Sequence, residues 1–259
     1  MSTELNRDDI FATIDEALGS ASEIALQYFR TAVPVDIKSD SSPVTLADRK
    51  IELSIRELLH RRFPECGILG EEQGHHQGSG GTWVIDPIDG TKSFLLGNPL
   101  FGCLLGFVQD DKVVAGGLAM PALSENWIAG SDFPTELNGK RVQTRDCTRL
   151  ADAALLTSSP DFFTEAEHAS FEQVSQQVRY RRFGGDCYTY AMLAGGWCDL
   201  VVESSLYPFD YLALVPIVEQ AGGVISDWQG NPLGLDSGPQ VVAAATQSLH
   251  EKTLSILNR

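Results

Sequence analysis

Residues 83–91 run Trp-Val-Ile-Asp-Pro-Ile-Asp-Gly-Thr, an apolar stretch that ends in two carboxylates and a Gly-Thr turn. A short apolar run bounded by turn residues predicts a buried strand, and α/β proteins bind ligands where strands end. Asp86 and Asp89 lie three positions apart, and Pro87 restricts the turn between them. Both carboxylates and the Ile88 carbonyl can therefore converge on one point and offer the oxygen ligands that Mg²⁺ prefers.

The Gly-Thr turn adds a candidate phosphate site beside these carboxylates. The backbone N–H groups of Gly90 and Thr91 can point into the same space, and free amides at a turn or a helix start bind phosphate. Asp-Pro and Asp-Gly are also ordinary turn dipeptides, so a purely structural turn is the alternative.

Acids also stand at the ends of two other apolar segments. The apolar residues 68–70 lead into Glu71 and Glu72, and Asp210 opens an apolar helical pattern that continues to Gln220. Helix capping explains Asp210 in isolation, and a solvated acidic turn explains Glu71 and Glu72. Taken together, acids at three element ends favour one shared metal site.

The net charge leads to the same expectation. The chain has 19 Lys and Arg against 35 Asp and Glu, a formal net charge of −16, which repels nucleic acid and anionic lipid. A phosphate ester would be repelled too, so an enzyme with such a substrate needs a local reversal of charge, which bound divalent cations supply. We therefore expect a small-molecule phosphate ester as partner, and neither nucleic acid nor membrane.

Three motifs follow one another in the chain: Gly70-Glu71-Glu72, Asp-Pro-Ile-Asp-Gly-Thr at 86–91, and Asp210 followed by Ala213 and Gly222-Gly223. They resemble the inositol monophosphatase family of metal-dependent, lithium-sensitive phosphatases, over nearly the whole chain. The resemblance implies an α/β (α+β) fold arranged as a layered αβαβα sandwich, and a homodimer. The family usually has Trp before the last Asp and a small residue beyond it, where this chain has Phe209 and Leu214. We interpret Phe209 as a tolerated aromatic exchange.

The resemblance also implies a role for each acid. Glu71 and Thr91 are the candidate catalytic residues, since Thr91 would help Glu71 to orient and activate the attacking water. Two or three Mg²⁺ ions would be bound by Glu71, Asp86, the Ile88 carbonyl, Asp89 and Asp210.

Segments 89–94, 98–102, 183–191 and 199–204 look most like the histidinol-phosphate phosphatase branch of this family. The predicted reaction is hydrolysis of L-histidinol phosphate to L-histidinol and phosphate, in histidine biosynthesis. Asp186 and Glu203 could pair with the ammonium and imidazole groups of this substrate at the rim of the site. The candidate substrate-binding residues are Gly90, Thr91, Asp186, Glu203 and Asp210.

Alternatives stay open for these residues and for the function. A helix N-cap after Gly184-Gly185 also explains Asp186, and Tyr188 and Tyr190 are interpreted as packing residues. An inositol-1-monophosphatase or a broad sugar-phosphate phosphatase would use Glu203 to bind a hydroxyl group. A regulatory binding protein on the same fold would keep the phosphatase site as an incidental feature.

Hydrophobic periodicity predicts an N-terminal lobe, residues 1–150, and a C-terminal α/β lobe, residues 151–259, that completes the site. The first lobe has predicted helices at 8–30 and 45–62, the second entered through Ser41-Ser42-Pro43, and strands at 66–69, 83–85, 101–108 and 113–120. The second lobe has predicted strands at 153–157, 199–203, 224–227 and 241–244, and helices at 165–177, 186–194 and 210–220. The Gly-rich residues 74–81 are expected to form a flexible loop over the site, with His75 and His76 solvated.

Cysteine usage and the N-terminus point to the cytoplasm. The five cysteines include no Cys-x-x-Cys pair, which predicts reduced thiols rather than disulfides or a zinc site. Residues 1–9 are polar and acidic, unlike a signal peptide, and no apolar run approaches the roughly 18 residues of a membrane span.

Overall fold

A computed structural model describes residues 6–32, 35–37 and 43–259 of the chain. Ser41 and Ser42, at the predicted entry to the second helix, lie outside the described residues, as do residues 1–5 of the acidic N-terminus. No helix of the described part is both long and apolar enough to cross a membrane.

Two antiparallel-packed helices form the first layer, as the periodicity predicts. Helix α1 (Arg7–Tyr28) begins after Asn6, whose side chain accepts a hydrogen bond from the Asp8 amide. Helix α2 (Leu46–Arg62) begins with a capping box in which the Thr45 and Asp48 side chains bond each other's backbone amides. A hairpin of β1 (Val35–Ile37) and β2 (Pro43–Thr45) lies between the two helices in the chain.

The second layer is an eight-stranded sheet in the order β10-β9-β8-β7-β6-β5-β3-β4. Adjacent strands are antiparallel, except that β3 and β5 are parallel. The strands are β3 (Gly67–Gly70), β4 (Gly74–His76), β5 (Thr82–Asp89), β6 (Gly102–Gln109), β7 (Lys112–Met120), β8 (Glu125–Gly130), β9 (Phe133–Leu137) and β10 (Lys140–Arg141).

A five-stranded sheet in the order β12-β11-β13-β15-β14 forms the fourth layer. Its strands are β11 (Ala154–Thr157), β12 (Tyr180–Phe183), β13 (Leu200–Glu203), β14 (Val224–Ser226) and β15 (Val241–Ala244). The remaining helices are α3 (Thr91–Leu95), α4 (Glu165–Ser175), α5 (Tyr188–Ala194), α6 (Pro208–Tyr211), α7 (Leu214–Gln220) and α8 (Gln247–Leu257).

Side-chain alternation along the strands shows how the layers stack. On β6, Leu105 packs with α1 and α2, whereas Leu104 faces the opposite way, into a core shared with α5 and α7. On β13, Val201 reaches that same central core, while Leu200 and Val202 pack with α4 and α8 on the far side. Neighbouring strand residues point to opposite faces, so each sheet is covered by helices on both faces. The expected αβαβα sandwich is confirmed.

The two sheets fall on either side of residue 150, but the central core joins them through α5 and α7. The division into lobes at 1–150 and 151–259 stays a prediction.

Two predicted segments differ from the structure. The predicted helix at 210–220 is interrupted after Tyr211, because Pro216 has no amide proton and its ring clashes with the carbonyl of Leu212, four residues earlier. Residues 74–81 do not form a loop over the site. Gly74–His76 is an edge strand, and Ser79 and Gly80 donate to the Glu65 carbonyl at the start of β3, the end opposite the acids.

Sequence patterns also missed several elements. The strands β8 to β10 and β12 and the last helix α8 were not predicted. None of them has a long apolar run, and β10 and β12 are exposed throughout.

One close contact between layers gives a test of the packing. A methyl group built on Gly116 of β7 would overlap the backbone carbonyl of Ala213, which separates α6 from α7. We expect Gly116→Ala to lower the free energy of unfolding by about 1–3 kcal/mol or more, since the backbone must shift. Gly234→Ala, which meets nothing within 4 Å, should change it by less than about 0.5 kcal/mol. Urea unfolding measures both, and equal values would contradict this packing.

Candidate active site

The parallel pairing of β3 and β5 brings two acids to one edge of the large sheet. Gly70 at the end of β3 lies opposite Ile85 of β5, and the Glu71 amide donates to the Ile85 carbonyl at 3.3 Å. Neighbouring parallel strands run in the same direction, so Glu71, directly after β3, lies beside Asp86 of β5.

A bulge in β5 turns Asp86 and Asp89 towards the same side. Asp86 pairs with Leu104 and Asp89 with Gly102 of β6, so two residues of β5 oppose one residue of β6 between them. Side chains three positions apart point to opposite faces of a regular strand, and the extra residue of a bulge restores the match. Ile88 faces the other way, into the core beneath α1 and α2.

Asp210 completes the acidic group from the central helical layer. It is the third residue of α6, and its Oδ2 accepts a hydrogen bond from the Tyr207 amide at 2.7 Å. Carboxylate oxygens of Asp86, Asp89 and Asp210 all lie within 4.8 Å of one another. Asp210 therefore caps its helix and joins the acidic group at the same time, so the two readings of its position are compatible.

Burial and mutual repulsion raise the free energy of ionising the carboxylates of this group. Burial, and then the charges of Glu71, Asp89 and Asp210, raise the pKa of Asp86 well above its usual range. Burial, with Asp186 and Asp210 nearby, also raises the pKa of Asp89 well above its usual range. Burial is likewise the main cause that raises the pKa of Asp210 to about 7.

The donor set fits a divalent cation. Oδ1 of Asp86 is buried and has no hydrogen-bond partner among the described residues. Hard cations select oxygen ligands such as these carboxylates. A cation would also offset the negative charge that the buried carboxylates carry when ionised. The acidic group could therefore bind a metal ion.

Glu71, Thr91 and Ile88 stand next to this group in different ways. Glu71 lines the same cavity as Asp89 and Asp210, although it lies outside the group of three carboxylates. Thr91 opens α3, and its hydroxyl donates to the Ile88 carbonyl at 3.0 Å. That carbonyl keeps a second lone pair for another partner.

Asp186 turns its side chain into the cavity instead of capping a helix. Ser93 donates to Asp186 Oδ2 at 3.1 Å, and a methyl group built on Gly90 would come within 2.8 Å of that oxygen. Helix α5 begins only at Tyr188, after Cys187, with no side-chain cap in the described structure. The N-cap alternative for Asp186 is therefore wrong. The Cys187 amide donates instead to Asp89 at 2.5 Å.

Glu203 lies deeper than the expected rim position. It is 4% exposed and accepts hydrogen bonds from the Ser158 amide at 2.8 Å, from the Ser158 hydroxyl and from the Tyr190 hydroxyl at 2.9 Å. Burial raises the pKa of Glu203. Tyr190, interpreted as a packing residue, is both buried and a hydrogen-bond donor to Glu203. The Tyr188 hydroxyl donates to Glu125.

A cavity of about 370 Å³ joins the acidic group to these residues. Its outer part has a different character, because aromatic and aliphatic side chains line it. Lys92 stands there with its ammonium group 5.1 Å from the centre of the Phe162 ring. The outer lining comprises Lys92, Ser158, Phe162, Leu206, Tyr207 and Phe209.

Sequence reasoning missed most of this outer lining and one inner acid. Phe162 and Ser158 come from a turn after β11 that has no chemical motif. Asp48 is buried in α2, and burial raises its pKa to about 6, with Glu71 among the charges near it. The spacing of Thr45 and Asp48 would have indicated only a capping box.

The comparison with known proteins follows this geometry. The sequence pattern of the inositol monophosphatase family matches residues 6–259. The chain belongs to the inositol monophosphatase family. It is therefore a phosphatase of that family.

Individual members of the inositol monophosphatase family are similar along most of the chain. The bifunctional phosphatase IMPL2, chloroplastic, of Arabidopsis thaliana is 40% identical over 266 residues, covering 98% of this chain and 76% of that protein. A histidinol-phosphatase of Chlorobaculum parvum is 33% identical, and the match covers 88% of this chain and 89% of that protein. The solved inositol monophosphatase from Zymomonas mobilis superposes with a TM-score of 0.90 at 39% identity, covering 99% of this chain and 100% of that one.

Removing one charge from the acidic group should have opposite effects with and without metal. We expect Asp89→Asn and Asp210→Asn each to raise the melting temperature of the metal-free protein at pH 7, by about 2–4 °C for each 1 kcal/mol of relieved repulsion. Each amide keeps an oxygen for its backbone donor, Cys187 or Tyr207. Both variants should lose the stabilisation that a divalent cation gives the wild type.

Asp110→Asn is the control for that experiment, because it removes the same charge from an exposed residue with a left-handed backbone that Asn tolerates. Calorimetry with and without Mg²⁺ measures all three variants. If metal stabilises Asp89→Asn as much as Asp110→Asn, Asp89 is not a ligand.

Proposed function

We propose that the protein is a Mg²⁺-dependent phosphate monoester hydrolase whose substrate is histidinol phosphate. Relatives named histidinol-phosphatase support the substrate: the one from Chlorobaculum parvum, and one from Mycobacterium tuberculosis that is 30% identical over 98% of this chain. The observation that carries the proposal is Asp186, whose carboxylate faces the cavity beside Gly90 instead of its own helix.

Mg²⁺ is one of the hard cations that suit an all-oxygen donor set. When bound, the ions would neutralise the phosphoryl oxygens and lower the pKa of the attacking water. The residues that would hold them are Glu71, Asp86, Ile88 through its carbonyl, Asp89 and Asp210.

The chain's own groups would fix the phosphate and aim the water. The amides of Gly90 and Thr91 stand at the start of α3, where a helix leaves its N–H groups without intrahelical acceptors, so they can bind phosphoryl oxygens. The Thr91 hydroxyl donates a hydrogen bond to the Ile88 carbonyl. The lone pairs of the Thr91 oxygen therefore remain available to accept a hydrogen bond from water. Glu71 would take the second proton of that water and so hold it in line with the ester bond.

The outer cavity suits the organic part of histidinol phosphate. With the phosphate at Gly90, Asp186 can form a charge-assisted hydrogen bond to the ammonium group. Phe162 and the stacked pair of Tyr207 and Phe209, with ring centres 5.4 Å apart, offer aromatic faces to the imidazole ring. A neutral polyol would gain little from either feature.

The likeness to the Zymomonas mobilis inositol monophosphatase favours a second candidate, an inositol-1-monophosphatase. In that reading Glu203 would bind a substrate hydroxyl group, but its two oxygens already accept bonds from Ser158 and Tyr190. A regulatory binding protein would not need Asp86, Asp89 and Asp210 to converge on one point. The homodimer and the cytoplasmic location stay predictions.

Metal dependence tests the reaction. Turnover of histidinol phosphate should disappear in excess chelator and return with Mg²⁺, because the carboxylates of the acidic group would otherwise repel the phosphoryl charge. Li⁺ should inhibit by competing for one of the ion positions. Phosphate release measured on metal-stripped enzyme checks this, and undiminished turnover there would exclude the mechanism.

Substrate choice is tested by Asp186→Asn. We expect kcat/KM for histidinol phosphate to fall by roughly one to two orders of magnitude, since a charged hydrogen bond contributes about 1.5–3 kcal/mol. Turnover of inositol 1-phosphate, which has no ammonium group, should hardly change. Asn also tolerates the left-handed backbone of residue 186, so the loop should keep its shape.

Asp161→Asn is the matched control, because it removes an equal charge from an exposed side chain next to Phe162. Its ratio of the two activities should equal that of the wild type. If Asp186→Asn lowers both activities equally, or if the wild type prefers inositol 1-phosphate, the substrate assignment fails.

A further inference from the structure

A buried ion pair on α2 clamps the turn that carries Glu71. Glu52 is fully buried and accepts a hydrogen bond from Arg56 Nε at 2.8 Å. The same carboxylate accepts from the amides of Glu72 at 2.7 Å and Gln73 at 3.0 Å. Arg56 then donates through Nη2 to the Gly74 carbonyl at 2.5 Å. One acid and one base of α2 therefore bind three consecutive residues after Glu71.

The strand end is shaped to receive this pair. A methyl group built on Gly70, directly before Glu71, would overlap the Glu52 carboxylate. The Glu71 amide is held on the other side by the Ile85 carbonyl of β5. The backbone is thus bonded to β5 at Glu71 and to Glu52 at the next two residues.

The turn leads into β4, a strand of three residues that pairs with β3 at the edge of the sheet and is exposed throughout. Short edge hairpins are marginal by themselves. The charge of Glu71 also opposes those of Asp86 and Asp210, whose pKa values it helps to raise. Without metal, repulsion would push the turn outwards.

We propose that Glu52, with Arg56, is a positioning residue that holds Glu71 against this repulsion and so preforms its place for metal and water. The proposal rests on the proposed function, in which Glu71 is a metal ligand. Glu52 does not line the cavity, so it acts only through the turn. A buried carboxylate that accepts three hydrogen bonds is rigid, and partners that orient a ligand typically change metal affinity 10–100-fold when removed.

The test is Glu52→Gln, which keeps the size of the side chain but replaces one acceptor oxygen with an amide that faces donors. The metal-free protein is titrated with Mg²⁺ by calorimetry, and kcat and KM for histidinol phosphate are measured at saturating Mg²⁺. We expect the dissociation constant for Mg²⁺ to rise about 10–100-fold. We also expect kcat to fall while KM stays close to that of the wild type, because Glu52 does not touch the substrate.

Asp199→Asn is the matched control for a structural effect. Asp199 is equally buried and accepts bonds from an arginine, Arg145, and from a backbone amide, Ala154, in the five-stranded sheet. It should lower the melting temperature of the metal-free protein as Glu52→Gln does, but leave Mg²⁺ affinity unchanged. A Glu52→Gln enzyme that binds Mg²⁺ as tightly as Asp199→Asn overturns the inference.

Arg56→Lys serves if Glu52→Gln does not fold. Lysine keeps the positive charge beside Glu52 but lacks the fork that reaches both Glu52 and the Gly74 carbonyl. A several-fold weaker Mg²⁺ affinity is expected, and an unchanged affinity contradicts the clamp. If the wild-type protein binds Mg²⁺ but does not hydrolyse histidinol phosphate, only the substrate assignment is overturned. Wild-type protein that binds no Mg²⁺ overturns the metal assignment and the clamp together.

Discussion

Repulsion between buried carboxylates is the constraint on which the rest of this structure depends. Two unit charges 4 Å apart repel by about 4 kcal/mol at an effective dielectric constant of about 20, whereas a hydrogen bond contributes only about 0.5–1.5 kcal/mol. Asp86, Asp89 and Asp210 have oxygens within 4.8 Å of one another. Burial, and then the neighbouring charges, raise the pKa of all three. A site of this kind is stable only if the surrounding fold holds each acid or if a cation neutralises them.

The fold supplies the four acids from three places in the chain: the end of β3, strand β5 and helix α6. Parallel strands supply Glu71 and Asp86, a bulge adds Asp89, and a separate short helix adds Asp210. Backbone donors bond two of the carboxylates directly, from Cys187 to Asp89 and from Tyr207 to Asp210. Because the donors belong to elements of the central layer, the packing of that layer on the large sheet sets the geometry of the site. Small residues such as Gly116 allow this close packing.

In the proposed reaction, different residues would carry out the phosphate chemistry and select the substrate. Glu71, Asp89 and the Gly90-Thr91 turn line the cavity from the large sheet and the start of α3, and Asp210 joins them from α6. Asp186, Phe162 and the Tyr207–Phe209 pair come from loops and short helices of the C-terminal half. The outer end can therefore vary without disturbing the inner end, which agrees with relatives of one fold that are named for histidinol phosphate and for inositol phosphate.

The sequence alone determined the layered fold through the resemblance, and the order of the main helices and strands through apolar periodicity. It also indicated Asp86, Asp89, Glu71 and Asp210 as candidate metal ligands, because acids at the ends of apolar runs form a local pattern. Other features depend on residues distant in the chain. Glu52 binds a turn about 20 residues later, and Glu203 bonds Ser158 across 45 residues. Asp186 resembled a helix cap locally, and only its contact with Ser93, 93 residues earlier, assigned it to the cavity. Such contacts leave no periodic trace, so the tertiary structure alone decided which polar side chains are buried, what they bond and which of them face the cavity.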